Sequence, residues 1–537
     1  MPIFDAAGDV VQPATIRAAK LQAMTGARNG GVPYDAGKYA TTEMDDWHPG
    51  LWSPDVEINP WRDRIVGRIR DLVRNDGWAS GGVTRLLDSA IGGDFKVVSQ
   101  PDWRALAQMG CAADSVWAEE FGRAAEALWR TWAYDPSRFC DGARRLTIPQ
   151  LFRLAFRHKL VDGEAFAVLL WIPERMGFGR ASYATALQII DPDRLSNPDM
   201  MFDTENLRGG VEIDHYGAAL AYHVRRAHEG DWYDAAKSLV WDRLPRESEF
   251  GRPIVLHDYD ADRAGQHRAA GGILTPVLAR MKMLAKYDDT ELQAAVINAM
   301  FAAFVESPMD PALVADGLVG DVGSYQEQRA GFHNDRKYQL NGSRIATLFP
   351  GEKLQMVNAA RPAANFPAFE SAMLRNVASS LGMTYEQLSQ DWSQVNYSSA
   401  RAALLESWKT MARRRQDFAA GFASPVFGAF LEEAMDWGEL PLPANAPDFL
   451  EARAAYSRCR WMGPPRGWVD PVKEAQAAVL RMDAGLTTLE QECAEQGLDW
   501  EEVLAQRARE VDMFKTLQLA LPDWGGAEIA AKTERPQ

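Results

Sequence analysis

The stretch TPVLARMKMLAKYDDTELQAAVIN, residues 275–298, divides the chain in two because it predicts one long helix. Thr275 is a favoured N-cap residue, and Pro276 is favoured at the first helical position. The next residues, 300–306, are compatible with either a continued helix or a strand, and Pro308 ends the pattern. We therefore predict a helix over this stretch, followed by a change of structure.

A β-patterned insert separates this helix from a second one. The Asn-Gly pair at 341–342 is a favoured two-residue hairpin turn, and it lies between the runs Lys337–Leu340 and Arg344–Leu348. The second helix is predicted from Pro367 to Leu381 and is closed by Gly382. Two long helices that flank a compact insert would form a staff with a tip, and copies related by rotation could line a channel.

The residues before the first long helix predict a mixture of helices and a mostly antiparallel sheet. Apolar residues recur at spacings of three and four in 59–91 and again in 114–134, which is typical of helices. Short apolar runs then alternate with turn residues such as Asp191-Pro192-Asp193, which is typical of strands. The predicted fold class is therefore α+β. The predicted strands are Ala165–Trp171, Leu187–Ile190, Val211–Ile213, Ala219–Val224 and Ile254–Asp258.

The residues after the second helix predict a loop and then a largely helical C-terminal region. The interval 383–398 is polar and aromatic, and a long helix is predicted to begin at Ser399 and to stop where Ser424-Pro425 restarts the chain. Three further helix starts are predicted at Asp470-Pro471, at the capping pair Thr487 and Glu490, and at the capping pair Asp499 and Glu502.

The chain is acidic. Its 537 residues include 58 Lys and Arg against 74 Asp and Glu, a formal net charge of −16. This balance argues against tight wrapping of nucleic acid, which needs a basic face, but it is compatible with DNA that passes without being gripped. The simpler explanation, that the acidity keeps the protein soluble, stays open.

The sequence has none of the common catalytic or metal-binding motifs. It contains no GxxxxGK[ST], HExxH or GxSxG motif, and its eight His residues lack metal-ligand spacing. The paired carboxylates Asp45-Asp46 and Glu432-Glu433 are expected to lie in solvent. The four Cys residues are scattered, which is typical of buried thiols rather than disulfides. We predict that the protein is not an enzyme and has no metal and no cofactor.

The sequence indicates neither a secretory signal nor a membrane-spanning stretch. The first eleven residues lack a basic segment followed by an apolar stretch, so no secretory signal is expected. The longest strongly apolar stretch, 294–305, is too short to span a bilayer. We expect a soluble protein made in a cytoplasm.

Several stretches, taken in order along the chain, are similar to one known family. The most diagnostic is SQVNYSSAR, residues 393–401, which closely resembles a stretch of the lambda-like portal proteins of tailed bacteriophages. The similarity runs from about Asn59 to about Glu510, whereas residues 1–45 and 317–334 resemble nothing recognisable. The other similar stretches are RDLVRN at 70–75, VDGE at 161–164, LQIIDPDRL at 187–195, DR at 262–263 with GQ at 265–266, FPGE at 349–352, NF at 365–366, and WVDP at 468–471 followed by KE at 473–474.

The resemblance implies a subunit of a dodecameric ring at one capsid vertex, through which double-stranded DNA is packaged and ejected without sequence specificity. It implies the terminase large subunit, head-completion or adaptor proteins, and major capsid and scaffold proteins as partners, with no membrane. It places the protein in the virion after synthesis in the host cytoplasm. The implied modules are an N-terminal arm (1–45), an α+β wing (46–272), a first stem helix (273–305), a β-rich clip (306–364), a second stem helix (365–382), a tunnel loop (383–398), a long wing helix (399–440) and a helical crown with a tail (441–537).

Two groups of side chains are candidate sites under this resemblance. The first would present rings and amides to passing DNA, and uncharged groups touch phosphates without locking onto them. The second would meet an acidic partner at the clip, although alternating charges are also typical of exposed hairpins. The tunnel-loop residues are Gln390, Asp391, Trp392, Ser393, Gln394, Val395, Asn396 and Tyr397, and the clip residues are Arg336, Lys337, Arg344 and Lys353.

Other interpretations of the same residues stay open. Trp392 and Tyr397 could pack under the wing while Ser398 or Ser399 caps the next helix. The basic run Arg413-Arg414-Arg415 fits a solvated helix face or an ion pair between subunits better than a DNA contact. For the whole chain, the alternatives are another virion ring component, such as an adaptor or a baseplate protein, or an enzyme with an unfamiliar site.

Overall fold

A computed structural model describes residues 46–301, 331, 338–340, 343–345, 366–393, 397–465 and 471–519. The chain divides into two units, Met1–Glu57 and Ile58–Gln537. The expectations for the arm, 1–45, and for most of the clip therefore lie outside the described residues.

The described residues contain fifteen helices. They are α1 (Pro54–Asn75), α2 (Gly77–Ala90), α3 (Trp103–Gln108), α4 (Ser115–Ala133), α5 (Ile148–Val161), α6 (Ala235–Ser238), α7 (Leu278–Phe301), α8 (Phe366–Leu381), α9 (Tyr385–Ser389), α10 (Tyr397–Phe418), α11 (Ser424–Asp436), α12 (Arg453–Tyr456), α13 (Pro471–Asp483), α14 (Leu489–Glu495) and α15 (Trp500–Thr516). No helix in this part of the chain is long and apolar enough to cross a membrane.

The strands form four small antiparallel sheets. They pair in the orders β1-β11, β3-β2-β8, β4-β5-β6-β7 and β9-β10. The predicted α+β class is confirmed. All five strands expected between 165 and 258 are present, and each begins and ends within two residues of its predicted bounds. The strands are β1 (Lys96–Ser99), β2 (Glu164–Trp171), β3 (Thr185–Ile189), β4 (Leu207–Arg208), β5 (Val211–Ile213), β6 (Ala219–Arg225), β7 (Trp241–Pro245), β8 (Val255–Tyr259), β9 (Tyr338–Leu340), β10 (Ser343–Ile345) and β11 (Cys459–Met462).

The predicted hairpin in the insert is present. In it, β9 pairs with β10 so that Leu340 faces Ser343 across residues 341–342, which is the register that a two-residue turn requires. The surrounding residues of the insert lie outside the described part of the chain.

The core joins the helices on both sides of the insert. Phe152 on α5 lies edge-on to Phe418 and Phe422, whose rings stack on each other at 5.1 Å. Trp129 on α4 contacts Phe430 on α11 edge-on at 5.4 Å. All five side chains are buried. Residues more than 250 positions apart in the chain therefore share one aromatic core, and burial of such rings is a major source of stability.

The long helix predicted from Ser399 continues past Ser424-Pro425 instead of stopping there. A π turn, Ala419–Ala423, joins α10 directly to α11. Pro425 is tolerated because it lies in the first turn of α11. Gly421 in the π turn faces the Asp258 side chain on β8, and a Cβ atom at Gly421 would lie 2.5 Å from Asp258 Oδ1. Only glycine allows this approach of helix to strand.

Several predicted helix starts are shifted. Thr275 is not an N-cap: it begins a 3₁₀ turn before α7, and its hydroxyl donates to the Gly272 carbonyl at 2.6 Å. The helix expected over 59–91 is broken at Asp76, which caps α2 by accepting from the Ala79 N–H. The cap expected at Thr487 is formed by Thr488, which accepts from the Gln491 N–H. The predicted cap at Asp499 is confirmed.

The C-terminal region was predicted to be helical, but it also contains a strand. Its strand β11 pairs with β1 along Lys96–Met462 to Ser99–Cys459. Because β1 lies near the start of the chain, this pairing ties the C-terminal region to the domain formed by the first helices.

Candidate functional site

The predicted tunnel loop begins with a short capped helix that the sequence analysis missed. Thr384 accepts from the Gln387 N–H at 3.1 Å, and Gln387 Oε1 accepts from the Thr384 N–H at 3.0 Å, which completes a capping box. Ser407 on α10 donates its hydroxyl to the same Oε1 at 2.8 Å. Gln387 therefore fixes α9 to the long helix. The signal was available, since Thr-x-x-Gln is a capping-box pattern.

Helices α2 and α8 also hold α9, the short helix at the start of the predicted loop. Leu388 is fully buried, and its carbonyl accepts from Arg85 Nη1 on α2 at 3.0 Å. Arg375 on α8 lies 5.1 Å from the Tyr385 ring centroid, a cation–π distance. Three separate helices, α2, α8 and α10, thus position α9.

The chain leaves α9 through a left-handed residue. Gln390 has φ 58° and ψ 19°, and its N–H donates to the Glu386 carbonyl at 2.7 Å. Its side-chain amide donates to the Gln387 carbonyl. Asp391 then accepts from the Ser393 N–H at 3.0 Å, and hydrogen bonds from the Ser393 side chain and backbone lower the pKa of Asp391. Asp391 is therefore ionised at neutral pH.

The described tip of the loop is exposed. Gln390, Asp391, Trp392 and Ser393 are all solvent-accessible, and Trp392 is 43% exposed. In a single chain Trp392 is thus not part of the buried core, contrary to the alternative that it packs under the wing.

The remaining candidate residues are only partly described. Gln394, Val395 and Asn396 lie outside the described residues, as do Arg336, Lys337 and Lys353 of the clip. Tyr397 was predicted in the loop, but it is the first residue of α10, so this helix begins two residues earlier than expected. Arg344 lies in β10. The roles assigned to all these residues stay predictions.

A buried ionic network joins α1, the three-stranded sheet and the segment before α7. Glu164, at the start of β2, is completely buried and binds Arg62 at 2.7 Å, Arg268 at 3.0 Å and His257 at 3.0 Å. Burial alone would raise the pKa of Glu164, but the charges of Arg268 and Arg62 and the His257 hydrogen bond hold it well below its usual value. Burial lowers the pKa of His257.

A second ionic cluster adjoins the first. Arg70 on α1 binds Asp162 at 2.7 Å, Asp191 at 3.0 Å and Asp193 at 2.6 Å. The oxygens of Asp191 and Asp193 and a ring nitrogen of His228 come close enough to hold a metal ion. However, the Arg70 guanidinium already supplies the positive charge at both carboxylates. We therefore regard this cluster as a structural ion-pair network rather than a metal site.

The basic run at 413–415 is split between two environments. Arg413 is exposed and pairs with Asp417 at 3.0 Å on the same helix. Arg415 points inward: it donates to the Ala90 carbonyl at 2.7 Å and to the Ser89 carbonyl at 3.2 Å, both at the end of α2. Burial lowers the pKa of Arg415 to about 10. The expectation of a solvated face holds for Arg413 but is wrong for Arg415.

Comparison with known proteins resolves the family. The sequence pattern of the phage portal protein, lambda family, matches residues 40–415. The chain is 34% identical over 494 residues to "Portal protein B" of Escherichia phage lambda, which covers 90% of each chain. The chain belongs to the lambda family of phage portal proteins. It is also 33% identical over 502 residues to "Portal protein" of Escherichia phage N15, covering 92% of each chain. The resemblance drawn from the sequence is confirmed.

Among solved structures, this portal chain is similar to a chain of "Neck of empty GTA particle computed with C6 symmetry". The identity is 13% and the TM-score 0.34, with 85% of this chain and 97% of that chain covered. A similarity at this level adds nothing to the family assignment, which rests on the sequence relatives.

Family membership makes the chain a component of a phage virion and assigns no reaction to it. Three of the stretches that carried the resemblance come together in the two ionic networks. Arg70 belongs to RDLVRN, Asp162 and Glu164 to VDGE, and Asp191 and Asp193 to LQIIDPDRL. These motifs therefore take part in the ion pairs that join α1 to the segments around β2 and β3.

Proposed function

We propose that this chain is one subunit of a dodecameric portal ring at a single capsid vertex, a head–tail connector through which double-stranded DNA is packaged and later ejected. The observation that carries the proposal is the 34% identity to the lambda portal protein over 90% of both chains. Head-to-tail contacts between identical subunits close into such a ring when the rotation between copies allows it.

The two helices around the insert support the assignment of a stem. The ring of Tyr287 on α7 lies 5.2 Å from that of Phe369 and 5.6 Å from that of Phe366, both on α8. The middle of α7 therefore packs against the start of α8, and the two helices could act as one staff. We assign residues 273–305 and 365–382 to the stem, the segment between them to the clip, and residues 441–537 to the crown and tail.

The loop after α9 is proposed to face the DNA. Its described tip combines the Trp392 ring, the Gln390 amide and the Ser393 hydroxyl with the carboxylate of Asp391. Neutral groups contact phosphates weakly, and an ionised Asp391 repels them, so this surface would guide a duplex without retaining it. The support from α2, α8 and α10 would hold the loop against passing DNA.

The further partners follow from the same proposal. The terminase large subunit during packaging, and head-completion or adaptor proteins afterwards, would bind the clip, with Arg336, Lys337, Arg344 and Lys353 offered to an acidic surface. Major capsid and scaffold proteins would surround the ring. Synthesis would take place in the host cytoplasm before incorporation into the virion.

Mass measurement of the purified assembly tests the ring. We expect a closed particle of about twelve copies. A monomer or dimer under all assembly conditions would contradict the proposal, and a ring that binds no capsid vertex would favour an adaptor or baseplate component.

Deletion of Gln390–Asn396 tests the loop separately. We expect rings to assemble normally but DNA packaging or retention to fall, and Trp392→Ala to give a milder form of the same defect. Trp232→Ala is a matched control, because Trp232 is an exposed tryptophan on a different element. Loss of the ring itself after the deletion would assign the loop to structure instead.

A further inference from the structure

The helices α14 and α15 meet the rest of the protein mainly through ion pairs. Arg123 on α4 forms two hydrogen bonds with the Glu501 carboxylate, at 2.7 and 3.1 Å. Arg130, about two turns further along the same helix, binds Glu502 at 3.0 Å. These contacts align one face of α4 with the first turn of α15.

The strand pair β1-β11 adds weaker contacts to the same two helices. Lys96 lies 4.0 Å from Glu502, and Arg460 lies 3.8 Å from Glu490 on α14. The Gln100 amide also donates to Glu490 at 3.2 Å. Basic groups thus lie on the body and acidic groups on α14 and α15, so the two sides are complementary in charge.

Apolar burial contributes little to this contact. Neither α13 nor α15 has a buried residue, and Cys493 is the buried residue of α14. A groove of about 700 Å³ opens between the body and these helices and is lined by polar groups as well as by Leu498 and Trp500. At Gly497 the backbones come close, since a Cβ atom there would lie 3.1 Å from the Gly463 carbonyl oxygen. Exposed ion pairs are individually weak and are screened by salt.

We propose that α14 and α15 form a latch, docked on α4 and the β1-β11 pair by charge complementarity, which opens when salt or rising pH weakens these contacts. The latch uses residues outside the tunnel loop and does not depend on the DNA-conduit proposal. Its release would free the acidic first turn of α15 and the basic face of α4, while the aromatic core stays folded.

The pH dependence of the latch comes from Glu126, which lies on α4 between Arg123 and Arg130. Its carboxylate accepts from the Ser99 N–H of β1 at 2.8 Å. Burial and the nearby charge of Asp499 raise the pKa of Glu126 to about 7, with Glu501 acting in the same direction and Arg130 against it. Lys96, Tyr134 and Glu502 line the adjoining cavity.

These neighbours determine whether docking strengthens or weakens as the pH rises. The docked form holds a proton on Glu126 that a solvated glutamate would release at a lower pH. The contribution of Glu126 to docking is therefore fully present below the ordinary glutamate pKa and is lost as the pH rises through about 7. Above that pH, an ionised Glu126 faces Asp499 and Glu501 and repels them.

Hydrogen exchange of the full-length protein, read by mass spectrometry over residues 489–516, tests the latch. We expect the opening equilibrium to rise as NaCl is raised from about 50 to about 500 mM, which shortens the screening length. Arg123→Gln should raise it by roughly two- to fivefold at low salt, as expected for loss of one exposed pair. The swap Arg123→Glu with Glu501→Arg should restore protection that Arg123→Glu alone removes.

Arg481→Gln is the matched control. Arg481 pairs with Glu492 at 2.8 Å inside the C-terminal helices, so its loss weakens these helices without touching the docking face. If exchange reported unfolding of the helices themselves, Arg481→Gln would raise it as much as Arg123→Gln, and the latch would be wrong. Protection that is independent of salt and unaffected by Arg123→Glu would also overturn it. Glu126→Gln should remove the pH dependence after correction for intrinsic exchange rates.

Discussion

Arg268 donates from Nε to both carboxylate oxygens of Glu164 at 3.0 Å, and both side chains are almost completely buried although 104 residues separate them. Arg268 also donates to the backbone carbonyls of Leu195, Gly209 and Pro192. One guanidinium therefore ties the start of β2 to the segment before the four-stranded sheet and to the turn between β4 and β5. The Glu164 carboxylate faces the opposite charges of Arg268 and Arg62, and pairing of this kind is the condition under which buried charges are tolerated.

Replacing Glu164 by Gln should destabilise the protein strongly. The change keeps the shape but removes the carboxylate that pairs with buried Arg268, while Arg62 keeps Asp63 at 2.9 Å and Asp193 at 3.6 Å. Breaking a buried pair in this way costs about 3–5 kcal/mol. Urea unfolding of the full chain measures the loss. Glu212→Gln is the control, because Glu212 pairs with Arg243 near the surface and its loss should cost less than about 1 kcal/mol. Equal effects from the two variants would contradict the role given to the buried network.

Acid should destabilise the fold through the same groups. Glu164 and Asp162 both have a pKa below the ordinary value, Glu164 because of Arg268 and Arg62, and Asp162 because of hydrogen bonds from His158 and Arg70. Their stabilising contribution is present above the unfolded-state pKa of each group and is lost as the pH falls through the lower folded-state pKa. Unfolding midpoints measured from neutral pH downward should therefore fall below about pH 4.5, the ordinary glutamate value. Glu164→Gln should make this fall shallower, and an unchanged slope would count against the network.

The glycine in the π turn should not tolerate a methyl group. In Gly421→Ala the new Cβ atom would lie 2.5 Å from Asp258 Oδ1, so helix and strand must separate. We expect a loss of about 1–3 kcal/mol in unfolding free energy, as for other overpacked sites. Gly428→Ala is a control in the adjoining helix, where the nearest atom, Ser457 Cβ, is 3.6 Å away. That change should be neutral or stabilising because alanine favours a helix.

Local patterns of the sequence predicted the elements but not the contacts between distant ones. The alternating runs around 165–258 and the Asn-Gly turn gave the strands and the hairpin, because their signals are contained within a few residues. Strand β11 was missed because Cys459–Met462 is short and becomes a strand only by pairing with Lys96–Ser99. Tertiary pairing of this kind leaves no local periodicity.

Charged residues were the hardest to place from sequence alone. Glu433 was expected in solvent, yet it is buried and accepts from the Ala184 and Thr185 N–H groups at the start of β3. Its partner Glu432, one residue earlier, is only partly buried. A helix turns by about 100° per residue, so neighbours in sequence face different surroundings, and composition cannot say which one points inward.

The split basic run offers the sharpest comparison of two like residues. Arg415 donates to two carbonyls at the end of α2 and lies 5.0 Å from the Trp408 ring centroid. Arg415→Ala therefore leaves these two carbonyls without their donor and also removes the packing against Trp408. We expect a loss of about 2–3 kcal/mol in the free energy of unfolding, since hydrogen bonds from charged donors are worth more than neutral ones. Arg413→Ala, two residues away and exposed, should change it by less than about 0.5 kcal/mol. Urea unfolding of both variants decides the matter: a larger effect at Arg413 would mean that this face binds a neighbouring subunit, and that Arg415 contributes little to the joint between α10 and α2.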